Sequence, residues 1–356
     1  MKRLIRMKRL IAVCLGVGLL AWAGQAQSPP LLSMQVSNGS VRLNITGGVG
    51  HACTIQWASN LYGTTNWQFL TNLTSLPSSI YLVVDTNVIS TPHFYRAFTQ
   101  QVPTNAVMTN MVWIPAGTFV MGSPTSEADR DSGETQHTVT LTNGFYMDKY
   151  AVKQGEYLAL MGSNPSYFTG DLNRPVEQVS WDDATNYCAH LTQQEQAAGR
   201  LPSGWVYRLP TESEREYACR AGTTTAFSFG SAIHGGMANF YDYYEYDASI
   251  GEIYISNPTV PWLGRTTTAG SYQPNAFGLY DMHGNVWEWC RDWYGSYPTG
   301  SVTNPQGPTS GSYRVFRGGS WISGGRGCRA AYRGSYDPSG RISDIGFRVV
   351  LAPGQP

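Results

Sequence analysis

The run Gly278-Leu279-Tyr280-Asp281-Met282-His283-Gly284-Asn285-Val286-Trp287-Glu288-Trp289 constrains the fold of this chain more than any other segment. It alternates small, aromatic and acidic residues too tightly for an ordinary helix or strand. Gly284 and Asn285 suit a turn, because glycine adopts positive φ without steric cost and asparagine tolerates the left-handed region. Asp281 and Glu288 flank that turn, so two carboxylates and nearby backbone carbonyls are placed to converge on one point. Such an oxygen cluster suits a hard cation such as calcium. Trp287 and Trp289 alternate with Glu288, which in an extended chain puts both indoles on one face and the carboxylate on the other. Taken alone, the stretch reads as a tight turn feeding a core strand.

The chain has 356 residues, long for one domain and comfortable for two. Charged residues make up 13%, about half the usual ~25%, and the formal net charge is +0. Nothing in that balance steers nucleic acid or an anionic membrane to the surface. With 22 Tyr and 11 Trp, folded contacts are expected to rely on aromatic packing more than on ion pairs. Lys2, Arg3, Arg6, Lys8 and Arg9 precede an apolar run, Leu10 to Ala23, and then the small residues of Gly24-Gln25-Ala26. That order is a secretory signal over 1–26, and the apolar run is too short for a comfortable membrane span. The expectation is a protein exported to the periplasm or beyond, with no membrane insertion after cleavage. Five cysteines would remain: Cys53, Cys188, Cys219, Cys290 and Cys328. Their odd count leaves at least one unpaired or bonded outside the chain, and none are spaced as C-x-x-C.

Residues 28–98 alternate apolar and polar residues in short runs, such as Val41, Leu43, Ile45 and Cys53, Ile55, Trp57. Turn residues separate them, which is the pattern of a small antiparallel β module. Residues 99–109, polar with Pro103, read as a linker, and 110–353 as the main domain. There Ser180 is placed to cap a helix with Asp182 and Asp183 in its first turn and Trp181, Ala184, Cys188 and Leu191 along one face. Thr211 and Glu214 form a T-x-x-E box opening a short helix to about Arg220, with Gly222 just past its end. From Ala232 to Gly264 the Tyr-, Gly- and Asn-rich sequence lacks periodicity and reads as ordered loop or surface insertion, where binding often sits.

Several further motifs surround the opening run in a fixed order. Before it come Trp113-Ile114-Pro115-Ala116-Gly117-Thr118-Phe119-Val120-Met121-Gly122-Ser123, Pro175-Val176-Glu177-Gln178-Val179-Ser180-Trp181 and Arg208-Leu209-Pro210-Thr211-Glu212. After it come Arg317-Gly318-Gly319-Ser320-Trp321 and Gly346-Phe347-Arg348-Val349. Together, over roughly Asn110 to Pro353, they resemble the formylglycine-generating enzyme, or sulfatase-modifying factor, family. The resemblance implies a loop-rich α+β domain of C-type-lectin-like fold. The preceding β module looks like the fibronectin-type-III-like modules of exported bacterial proteins.

The resemblance also implies a site, and the sequence departs from it. Family enzymes convert a cysteine in a sulfatase peptide to formylglycine using dioxygen and a copper ion held by two thiolates, the soft ligands that Cu(I) favours. Those cysteines follow the R-G-G-S motif, and here the positions fall on Ser323 and around Gly324 and Gly325. Copper is therefore not expected, and the pocket is marked by Ser320, Ser323 and Trp287. Cys328 matches a family cysteine whose disulfide partner falls on Cys219. A family calcium site maps to Asp281, Gly284, Val286 and Glu288. A second maps to Asn239, with Pro261 standing where its aspartate is expected. The six histidines are not grouped at ligand spacing. These readings favour a binding or scaffold protein for a peptide or glycan; the alternative is an enzyme of the same family working through a different site.

Overall fold

The computed structural model describes residues 110–354 fully, together with six strands between residues 31 and 101 by their backbone. The signal segment 1–26 and the side chain of Cys53 lie outside the described residues. The chain divides into two compact units between Thr104 and Asn105, a point inside the expected linker 99–109. In the first unit the strands form two three-stranded antiparallel sheets.

The second unit is built from short strands and three helices: α1 (Gln154–Met161), α2 (Trp181–Ala197) and α3 (Glu212–Arg220). One antiparallel sheet orders Trp205–Arg208, Val350–Pro353, Phe145–Asp148 and Met111–Ile114, so the C-terminal strand is clamped between segments from much earlier in the chain. A second sheet orders Gly334–Tyr336, Arg314–Arg317, Trp287–Trp293 and Ile345–Phe347, the last pair parallel. Gly117–Met121, His137–Leu141 and Val302–Thr303 make a third. Ile114, Val139, Phe145, Met147, Ala218, Leu279 and Val350 fill the core between them.

Local chemistry explains the helix ends. Ser180 Oγ accepts from the Asp183 amide at 3.1 Å while Asp183 Oδ2 accepts from the Ser180 amide at 2.9 Å, closing the box that starts α2. Thr211 and Glu214 do the same for α3, at 3.1 and 2.8 Å. Helix α3 ends at Arg220 as expected, and Ala221 after it takes the left-handed region with φ 47°. All nine residues of α3 are buried, charged ones included, so it crosses the interior rather than lying on it. The stretch from Ala232 departs from expectation. It folds into a small antiparallel sheet of Ala232–Ile233, Tyr244–Asp247 and Gly251–Tyr254, strands too short to show a period in sequence.

Candidate functional site

The Gly284-Asn285 turn forms as its residue types dictate, with φ 85° and 69°, and Asp281 before it also sits at positive φ, 54°. A Cβ on Gly284 would meet the Asn239 carbonyl oxygen at 2.4 Å, so only glycine fits this approach. The amide of Gly284 donates to the Gly318 carbonyl at 2.7 Å, and that of Asn285 to the Asn239 carbonyl at 2.7 Å. The turn thereby pins the R-G-G-S segment against Asn239. Asn239 itself uses its side-chain amide on the Arg265 carbonyl and Asn285 Oδ1, at 3.0 and 3.2 Å, as a strut of the turn.

Trp287 and Trp289 are buried on the strand that follows, with Glu288 between them at 1% exposure. Glu288 does not face a cation site. Its Oε2 accepts from Arg215 Nε at 2.7 Å and Arg348 Nε at 3.1 Å, and its Oε1 from Arg348 Nη2 at 2.7 Å. Burial works to raise the Glu288 pKa, but the two guanidiniums prevail and hold it below the ordinary carboxylate range. Of the calcium set expected from Asp281, Gly284, Val286 and Glu288, the Glu288 carboxylate is thus engaged by Arg215 and Arg348. The Glu288 oxygens are occupied, and two positive charges beside them repel a dication. Asp281 keeps one oxygen on the Gly270 amide at 2.7 Å and leaves Oδ1 without a partner. Burial pushes its carboxyl up to about 6. Among the described residues, no three His, Cys, Asp or Glu side chains gather as a metal site.

The R-G-G-S segment brings Ser320 and Ser323 together. Their hydroxyls lie 3.1 Å apart, the Ser320 amide donates to Ser323 Oγ at 3.1 Å, and Ser320 Oγ donates to Asp344 Oδ2 at 3.0 Å. Burial raises the Asp344 pKa. Ser320 is fully buried and Ser323 half-buried, so Ser323 is the outer end of a chain leading to the carboxylate. Trp287 lies alongside: a Cβ on Gly327 would touch Ser323 on one side and the Trp287 ring on the other. The thiolates of the family copper centre have no counterpart here. The described thiols are Cys188, Cys219, Cys290 and Cys328, all buried and all free.

The Cys219–Cys328 bridge implied by the resemblance is accordingly not formed. Cys219 Sγ instead lies 3.6 Å from His283 Nε2, while His283 Nδ1 donates to the Cys328 carbonyl at 2.7 Å. Burial works to raise the Cys219 pKa, but His283 and then Arg215 and Arg220 prevail and bring it down to about 7. Burial, and then the nearby Glu252 and Cys219 charges, drive the Cys328 thiol up.

Over this site runs a contiguous line of rings that the sequence does not announce. Tyr167 meets Phe168 at 5.0 Å between centroids, Phe168 meets Trp321 at 5.2 Å, and Trp321 stacks on Trp262 at 5.8 Å. Trp262 meets Tyr241 at 4.8 Å, Tyr241 meets Tyr244 at 5.7 Å, and Tyr244 meets Tyr254 at 5.4 Å. The Trp262 indole donates to the Trp321 carbonyl at 2.7 Å, and the Tyr241 amide to the Ser323 carbonyl at 2.8 Å, so the line is tied to the serine loop. Its ends are open: Tyr167 is 67% exposed, Tyr254 62%, and Ile322 beside Trp321 50%. Asp344, Arg215 and this aromatic line are the site's unforeseen members. The only signal for the line was the aromatic richness of 232–264.

The arrangement defines a class: a loop-rich α+β domain whose site is assembled by a tight G-N turn, an R-G-G-S loop and a buried W-E-W strand. Residues 97–353 match the sulfatase-modifying factor enzyme 1-like domain, and the chain belongs to that family. It is 30% identical to the formylglycine-generating enzyme of Mus musculus over 304 residues, spanning 70% of this chain and 76% of that one. It is also 30% identical to the chaperone protein LppX of Paenibacillus barcinonensis, over 68% of this chain and 90% of that protein. Among solved structures it resembles Treponema denticola variable protein 1, with TM-score 0.56 and 29% identity over 68% of this chain and 95% of the other.

Proposed function

We propose that this domain is a binding module that holds a chain-like ligand, a peptide in the first place, along the aromatic line above the serine loop. The observation that supports it is the continuity of those rings from Tyr167 to Tyr254, with solvent-facing ends. Exposed apolar patches on a soluble domain mark interaction sites, and rings offer large contact area at low conformational-entropy cost. The donor set argues against copper oxidation: serine hydroxyls replace the soft thiolates that Cu(I) favours. A relative named as a chaperone is consistent with peptide holding. Fold alone does not carry activity between relatives. Export, expected from 1–26, is part of the same proposal, and N-terminal sequencing of the mature protein tests it.

The test is fluorescence anisotropy with a library of extended peptides, with neutral and acidic glycans as a parallel arm. Tyr167→Ser and Tyr254→Ser alter exposed rings and should weaken peptide binding about fivefold each, or ~1 kcal/mol. Unchanged affinity in both variants, or binding confined to glycans, defeats the peptide reading. The Ser323–Ser320–Asp344 chain supports one second reading, a serine-dependent modifying enzyme. Labelling of Ser323 by a fluorophosphonate, abolished in Asp344→Asn, would favour it.

A further inference from the structure

A separate cavity of about 500 Å³ lies where the strand Trp287–Trp293 leads into the loop after it. Its walls are mainly apolar, with Met121, Trp293, Tyr297, Pro298, Val302 and Pro308 among them. Five polar side chains in its lining are more than nine-tenths buried, namely His137, Glu212, Ser213, Asp292 and Arg333, with His137 at 6% exposure and Asp292 at 4%. The His137 ring uses Nδ1 on the Thr135 carbonyl at 3.0 Å. A carbonyl only accepts, so Nδ1 carries a proton, and in the neutral form of the ring Nε2 is the acceptor. Asp292 accepts from the Glu212 amide through Oδ2 at 2.8 Å, makes no other hydrogen bond and joins no ion pair among the described residues.

Two donors in the lining, Tyr297 and Arg333, are turned to Glu212. Tyr297 gives its hydroxyl proton to Glu212 at 2.9 Å. Arg333 grips the same carboxylate through Nε and Nη2 at 2.6 and 2.8 Å, and turns Nη1 to the Gly295 carbonyl at 2.9 Å. Asp292 Oδ1 and His137 Nε2 are left as acceptors in a chamber with mainly apolar walls. The chamber falls in the usual 300–1,000 Å³ range of small-ligand sites, which pair apolar walls with a few placed polar groups. Among the described residues no three His, Cys, Asp or Glu side chains gather here to hold a metal ion. A ligand that brings its own donors and a positive charge suits a carboxylate and an imidazole acceptor in the same chamber.

We propose that this cavity binds a primary ammonium on a short apolar stem, received by Asp292 Oδ1 and His137 Nε2, with the stem against Trp293, Tyr297 and Pro298. The Asp292 carboxyl supports the assignment as a group lacking its counter-ion: burial, and then the Glu212 charge, push it up to about 7. The other charged groups that face it are Glu214 and Arg333, with Arg208, Arg314 and the Cys290 thiol also within its field. A cation should therefore bind better as Asp292 ionises. The site is independent of the aromatic line and stands or falls apart from it.

The test is isothermal titration of the full chain with n-pentylamine and with 1-pentanol. The amine should bind saturably at one site and the alcohol about tenfold more weakly, ~1.4 kcal/mol. Amine affinity should rise from about pH 5.5 to about pH 8, following the carboxylate. Asp292→Asn keeps an oxygen for the Glu212 amide and should weaken the amine about tenfold while leaving the alcohol unchanged. No saturable binding, equal affinity for amine and alcohol, or an affinity flat with pH overturns the proposal. The pH profile of the wild-type protein decides it even if the variant fails to fold.

Discussion

Replacing Arg215 by methionine tests the most consequential departure from the sequence reading. Arg215 and Glu288 are each 1% exposed and lie 2.7 Å apart, and Arg215 Nη2 also donates to the Met282 carbonyl at 3.1 Å. Methionine fills much of the same volume but supplies neither the charge nor the donors. Removing one partner of a buried pair costs about 3–5 kcal/mol, because the remaining charge is left uncompensated. Arg348 stays in contact with Glu288 through three hydrogen bonds and moderates the loss. The expected cost is thus at the lower end, about 3 kcal/mol. For a domain of this size that corresponds to a fall in Tm of roughly 6–12 °C. Urea denaturation of the wild type and Arg215→Met, with unchanged slope, measures it directly. A loss below about 1 kcal/mol would refute the claim that this pair replaces a cation at the turn. So would recovery of stability in Arg215→Asp on adding calcium without any comparable cost in its absence.

Three further outcomes follow from the same geometry. Because two guanidiniums occupy Glu288, chelation by EDTA should leave the wild-type melting temperature unchanged, and millimolar calcium should not raise it; a calcium-dependent rise would restore the ion rejected above. Asp292 has its folded pKa raised to about 7 by burial, so its contribution to stability is present at acid pH and lost as pH rises through about 7. Asp292→Asn should therefore melt higher than wild type above neutrality and converge with it at acid pH, a difference read by calorimetry across pH. Ser180→Ala removes the side-chain acceptor for the Asp183 amide and should cost about 1 kcal/mol in urea denaturation, within the usual range for a lost cap.

Features governed by neighbours in sequence were legible. The Ser180 and Thr211 boxes, the turn at Gly284 and Asn285, and the alternation of Trp287, Glu288 and Trp289 depend on residues within a few positions of one another. The motif order carried the family for the same reason. Features governed by distant partners were not legible. Glu212, Arg215, Glu216 and Arg220 look like the polar face of a surface helix. Their burial depends on Arg317 and Arg333, which lie about a hundred residues further on and reach Glu216 and Glu212. The guanidinium partners of Glu288 were hidden for the same reason, since Arg215 and Arg348 approach it only after the sheets and α3 pack together. The aromatic line likewise joins residues from Tyr167 to Trp321, and no local period links them.

The central claim is that the serine loop has left thiolate chemistry and serves a domain that holds its ligand unchanged. Mass spectrometry of a peptide containing C-x-P-x-R, after incubation with the purified chain, Cu(I) and dioxygen, addresses it most directly. The peptide should be recovered with its cysteine intact. Conversion of that cysteine to the aldehyde, dependent on the protein and absent in Ser323→Ala, would contradict the account.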